Sequence, residues 1–211
     1  MTIDRAAMLG GIDRLTDAME RAFETLNAAD GALGDGDLGV TMTRGMRAIS
    51  EGAADLPSDL GQALLRCAQA FTKSSGSSYG TLMATGLMAM AKAVKGQQTV
   101  DAAAVSGLLV LARDAMIARG KADLGGKTVL DSLDAAAQAT AGLSDPNAVA
   151  QAAADSVRAA LDAFREKPAT VGRARIFAEK SRGMDDPGML AMALIVEALA
   201  GSASSSARSD T

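Results

Sequence analysis

Apolar residues recur at helical spacing along almost the whole chain. Met8, Ile12, Leu15, Met19, Phe23 and Leu26 draw one apolar stripe, which predicts an amphipathic helix of about 25 residues. Met42, Met46 and Ile49 restart the period, and Leu60, Leu64, Cys67, Ala68 and Phe71 carry another stripe beyond Pro57. Further stripes run through Tyr79, Met83, Leu87, Met90 and Val94, then Val105, Leu108, Leu109, Ala112 and Met116, then Val129, Leu130, Leu133 and Ala137. Asp145–Pro146 reads as an N-cap followed by proline in the first turn, opening Val149, Ala153, Val157, Leu161 and Phe164. Asp186–Pro187 repeats that signal before Leu190, Leu194 and Leu199. No segment alternates as a strand does. The pattern predicts about eight helices. Abundant Ala and short connections predict an all-α, closed bundle in which successive helices run up and down, antiparallel to one another.

Two stretches fall outside the period. Residues 166–186 are rich in Arg and Gly, and an aperiodic stretch of that length in a compact domain predicts a functional loop. The tail "GSASSSARSDT", residues 201–211, predicts disorder after a single domain over 1–200.

Composition narrows the function classes. A chain of 211 residues with 48% hydrophobic content can bury a sizeable core, while a net charge of −4 and 2% aromatics argue against nucleic-acid binding. The N-terminus carries charge throughout, and no window of about 18 uninterrupted apolar residues occurs. A cytoplasmic protein with no membrane partner is expected. Cys67, the single cysteine, lies on an apolar face and predicts a buried, inert thiol, and most of the 12 Met are expected in the core. The chain has no His, which removes His-based triads and the usual zinc sites and leaves carboxylates as the natural metal ligands.

Those carboxylates are concentrated in "DGALGDGDLG", residues 30–39, where Asp30, Asp35 and Asp37 alternate with four glycines. Hard oxygen donors select Mg2+ or Ca2+. A calcium loop starting at Asp35 puts Val40 where the turn glycine belongs and Met46 where the bidentate Glu belongs, so Mg2+ is preferred. Asp–Gly pairs also serve as plain turn formers. "SSGSSYG", residues 74–80, suits either a phosphate cradle at a helix N-terminus or an ordinary serine cap. "GGKT", residues 125–128, is not a P-loop, because Lys121 stands where its first glycine is needed and no strand precedes it. Arg173, Arg175, Lys180 and Arg182 lie near the start of the last helix, where a polyphosphate or merely solvent would meet them.

In order and spacing, "DGALGDGDLG", "SSGSSYGTLM", "RGKADLGGKTVLDSL" and "GRARIFAEKSRGMDDPG" resemble the nucleotide-binding L subunit of dihydroxyacetone kinases over roughly residues 8–200. The resemblance implies an eight-helix barrel holding ADP or ATP through two Mg2+ ions. It implies Asp30, Asp35 and Asp37 as metal ligands, and Leu38, Gly39, Val40 and Thr41 as a phosphate-side loop. Ser74 and Ser75 match a phosphate-contacting pair. Gly120 and Val129 match the nucleotide pocket, Arg173 a nucleotide-contacting arginine, and Asp186, Pro187 and Gly188 a second nucleotide-contacting turn. Leu38 replaces the family's usual His, and Lys73 appears beside the serine segment.

The activity implied is phosphoryl transfer to a small ketose held by a partner K subunit through that subunit's His. The metal site carries the chemistry, no side chain of this chain is singled out as catalytic, and no activity is expected without the partner. The donor implied is ATP, or a phosphotransferase-system protein that rephosphorylates bound ADP. A non-enzymatic nucleotide-binding regulatory bundle is the alternative outside catalysis.

Overall fold

The computed structural model describes residues 2–74 and 76–206. Nine α-helices dominate it: α1 (Arg5–Arg21), α2 (Phe23–Leu33), α3 (Leu38–Glu51), α4 (Leu60–Ser74), α5 (Ser78–Ala93), α6 (Val105–Gly120), α7 (Val129–Ala139), α8 (Pro146–Phe164) and α9 (Pro187–Ser206). The expected all-α class holds, with one small exception. Thr2–Ile3 and Val100–Asp101 form a two-residue antiparallel ladder, Thr2 opposite Asp101 and Ile3 opposite Val100.

The ninth helix arises because the first apolar stripe is broken. At Ala22 the backbone opens to φ −87° and ψ 0°, and its N–H is shared between the carbonyls of Ala18 and Glu20. Ile12, Met19 and Leu26 are nevertheless all buried in one cluster with Met42, Met46, Ile49, Cys67 and Phe71, so the stripe survives the break. Consecutive helices pack on one another from α3 to α9, and α1 joins α3 to α9, closing a ring of eight. The additional helix, α2, packs on α3 and α9.

The caps follow the sequence. Asp145 accepts the amide of Ala148 ahead of Pro146, and Asp186 accepts the amide of Met189 ahead of α9. Cys67 is buried, and burial pushes its thiol up to about 11. In α5 and α9 the large residues of the stripe are only partly buried or, at Leu199, exposed, and Ala84, Gly86 and Ala91, or Met189, Ala191, Met192 and Ala193, face inward instead. Small residues there let helices approach closely: a Cβ on Gly86 would stand 3.0 Å from Met116 Sδ. Helix α9 continues through Ser206, past the domain boundary expected at 200, because no proline stops it. Residues 207–211 of the expected tail lie outside the described residues. No described helix is long and apolar enough to cross a membrane.

Candidate functional site

The acidic segment is less of a loop than its glycines suggest. Asp30 sits in the last turns of α2, Asp35 and Asp37 occupy the connection that follows, and Leu38 begins α3. Asp30 Oδ2 accepts the Asp37 amide at 2.9 Å, folding the connection back on the helix end. One ligand oxygen from each of Asp30, Asp35 and Asp37 lies within 4.8 Å of the others. Burial, and then the charges of Asp35 and Asp37, raise the pKa of Asp30 above the ordinary carboxylate value. Three hard oxygen donors converging at this distance fit a divalent cation such as Mg2+.

Asn27 of α2, which the sequence pattern does not single out, builds the turn. Its Oδ1 accepts the amides of Gly39 at 2.8 Å and Val40 at 3.3 Å. Gly39 must be a glycine because α3 crosses α2 there at closest approach: a Cβ would stand 2.2 Å from the Phe23 carbonyl oxygen.

The three carboxylates open onto a cavity of about 550 Å3, within the range of small-molecule sites. Leu38, Gly120, Val129, Arg173, Asp186, Pro187 and Gly188 line it together with the aspartates. Leu82, Met116, Leu130 and Val171 add an apolar wall, and Gly76, Ser77 and Ser78 bring the N-terminus of α5 to its edge. Residues from α2, α5, α6, α7 and the stretch before α9 thus meet at one end of the bundle.

The structure places Gly39, Val40, Thr41 and Ser74 outside the cavity lining. Residues 38–41 form the first turn of α3 rather than a loop, and Gly39, Val40 and Thr41 are not among the cavity-lining residues. Their amides serve the helix instead: Asn27 takes Gly39 and Val40, and the Asp37 carbonyl accepts Thr41 N–H at 2.8 Å. Ser74 closes α4, its hydroxyl donates to the Phe71 carbonyl at 2.8 Å, and it is not among the residues lining the cavity. Ser75 lies outside the described residues. Ser77 caps α5 by accepting the Gly80 amide at 3.0 Å, so the capping reading of the serine segment holds for it.

The expected functional loop over 166–186 forms two short 3-10 turns, Arg173–Phe177 and Glu179–Ser181. From the first of them Arg173 reaches across to an ion pair with Asp35, which raises the guanidinium pKa further. Asp186 is buried where α9 begins, and burial pushes its carboxyl up to about 7, opposed by its bond from the Met189 amide and by the charge of Lys127. Tyr79, which the sequence places merely on an apolar stripe, donates its hydroxyl to the Gly188 carbonyl at 3.3 Å, and burial raises its pKa. As the chain's single tyrosine on an otherwise aliphatic stripe, it was the available signal.

Residues 32–201 match the family model described as the DAK2 domain. The chain belongs to the DAK2 domain family. It is 29% identical over 202 residues to the ADP-binding subunit DhaL of PEP-dependent dihydroxyacetone kinase 1 from Listeria innocua, covering 94% of this chain and 97% of that one. It is 32% identical over 182 residues to L-erythrulose kinase of Pectobacterium atrosepticum, and 33% over 194 residues to human triokinase/FMN cyclase. These matches cover 82% and 89% of this chain, but only 31% and 33% of the two longer enzymes. The fold superimposes on dihydroxyacetone kinase from C. freundii, solved in complex with AMP-PNP and Mg2+. The TM-score is 0.74 at 28% identity, over 96% of this chain and 35% of that one. The DAK2 chain is thus similar both to a subunit of its own length and to one third of larger kinases.

Proposed function

We propose that this DAK2 chain is the nucleotide-holding part of a ketose kinase, binding ATP or ADP with Mg2+ and delivering a phosphoryl group to a small ketose held by a partner K subunit. The observation that carries this reading is the convergence of Asp30, Asp35 and Asp37, with Arg173 beside them, on the lining of a cavity of about 550 Å3. Asp30, Asp35 and Asp37 hold the cation, two ions in the full site, and bound Mg2+ supplies neutralisation of phosphate charge during transfer. Arg173 offers a planar, permanently charged donor to the same phosphates. The α5 N-terminus offers backbone amides on the cavity lining, and Leu82, Met116 and Val129 would give the base an apolar wall. Gly120 and residues 186–188 complete the pocket. The buried single thiol suits the cytoplasm.

ATP is the proposed donor, since Leu38, buried at the start of α3, stands where the family usually carries a phosphate-bonding His. The 97% coverage of a DhaL subunit named as PEP-dependent favours a second reading, in which ADP stays bound and a phosphotransferase-system protein rephosphorylates it. Native mass spectrometry of the purified protein, followed by titration with ADP and with ATP in Mg2+, tests both. Bound nucleotide with Mg2+ is the expected result, and failure of both ADP and ATP to bind sinks the proposal in favour of a role without nucleotide. ADP that survives purification and resists exchange with ATP selects the second reading.

A further inference from the structure

The "GGKT" segment is not a P-loop, yet it holds the most completely buried charge among the described residues. Lys127 is 1% exposed, and its Nζ donates to the carbonyls of Arg165 and Lys167, each at 2.9 Å, and of Ser181 at 2.7 Å. All three donor positions of the ammonium are therefore used, and all three acceptors belong to the stretch that carries Arg173. That stretch closes on itself where the Gly183 amide meets the Arg165 carbonyl at 2.9 Å. The same turn grips it a second time, because the Gly126 carbonyl accepts the Thr170 amide at 3.2 Å. Gly126 leaves no room for a side chain there, since a Cβ would approach Val171 to 2.8 Å.

Lys127 achieves this at a cost. Its backbone is left-handed, φ +61°, which a non-glycine residue adopts only against strain, and its charge has been taken out of water. A stretch needing only to cross the surface requires neither. What the arrangement secures is the position of residues 165–183, whose 3-10 turn sets Arg173 against Asp35. We propose that Lys127 is a positioning residue for phosphate binding: its ammonium gathers the carbonyls of Arg165, Lys167 and Ser181, and so holds Arg173 over the carboxylate cluster. This rests on the nucleotide-binding reading above.

The test compares wild-type protein, Lys127→Met, Arg173→Ala and the double variant, with Ser181→Ala alone and combined with Arg173→Ala as a milder pair. Ser181→Ala removes the hydroxyl that accepts the Ala169 amide at 2.8 Å inside the same loop. Affinity for ADP with Mg2+ is measured by calorimetry, and trypsin cleavage within residues 166–183 by mass spectrometry. Lys127→Met is expected to weaken ADP binding about tenfold, the loss of one charge-assisted contact, and to speed cleavage in the loop. Because Lys127 acts through Arg173, the double variant should bind no more than about threefold worse than the weaker-binding single variant. Normal affinity in Lys127→Met, or fully additive losses in the double variant, overturns the proposal. If Lys127→Met does not fold, the Ser181 pair decides on the same criteria, with a smaller single effect. Wild-type protein that binds no nucleotide overturns the reading beneath the proposal, and the proposal with it.

Discussion

The guanidinium of Arg173 is ion-paired with the carboxylate of Asp35, joining the loop before α9 to the glycine-rich turn between α2 and α3. Both side chains are about half exposed, so water screens the pair and its contribution to folding stability is small, within about 1 kcal/mol. The contact therefore matters for where it places charge, and the first two predictions separate placement from stability.

Replacing Asp35 by Asn should weaken binding of ADP with Mg2+ by about tenfold or more, because one of three anionic ligands is lost. The melting midpoint should stay within a few degrees of wild type. Calorimetric titration alongside a thermal melt measures both. Unchanged affinity in Asp30→Asn, Asp35→Asn and Asp37→Asn alike returns the segment to a simple turn.

Arg173→Ala should likewise reduce nucleotide affinity about tenfold while the helices melt normally, since the residue sits on a 3-10 turn at the surface. Raised salt should weaken wild-type binding more than that of the variant, because the screened term has gone. A collapsed melting midpoint with normal affinity in the folded fraction identifies Arg173 as a structural anchor instead.

Asp186 predicts an unusual pH dependence. Burial raises its carboxyl from the ordinary value to about 7, so between about pH 4 and 7 the folded chain holds a proton that the unfolded chain has released. This contribution to stability is complete at the acid end and is lost as pH rises through 7. Asp186→Asn, which still accepts the Met189 amide, should flatten that fall and gain on the order of 2 kcal/mol relative to wild type at pH 8. Melting curves of both proteins from pH 5 to 8 read the difference, and parallel curves contradict it.

Gly39→Ala should destabilise the fold by about 1–3 kcal/mol, because the new methyl group meets the Phe23 carbonyl and the Asn27 side chain. Denaturant titration measures the loss, and a midpoint equal to wild type means that α2 and α3 separate freely.

The apolar stripes made the bundle legible, since 3.6-residue periodicity is a local property and survives even the break at Ala22. They failed in α5, where small residues rather than the large ones of the stripe are buried, and in α9, where Met189 and Met192 rather than Leu190 and Leu194 are buried, beside Ala191 and Ala193. A stripe of large side chains reports burial, whereas close approach depends on which side chains are missing. Asp30, Asp35 and Asp37 were legible because their crowded charge demands a partner, and Asp186 because it also caps a helix. Asn27 and Lys127 were not, because each acts on backbone groups distant in sequence. Lys127 in particular bonds carbonyls 38, 40 and 54 positions away, a relationship that no local pattern encodes.

The chain should not phosphorylate dihydroxyacetone or erythrulose by itself, and should do so when a His-bearing ketose-binding K subunit is added with ATP and Mg2+. Covalent capture of a ketose through imidazole needs a His, and the chain has none. The cavity is already occupied in this scheme by the nucleotide, and its lining includes the carboxylate cluster that would hold the metal. Coupled assays with each ketose, with and without the K subunit, decide the matter, and replacing ATP by a phosphotransferase-system donor and bound ADP distinguishes the two routes. Turnover by the isolated chain contradicts the two-protein scheme, because a ketose-capturing group would then have to exist among residues other than His.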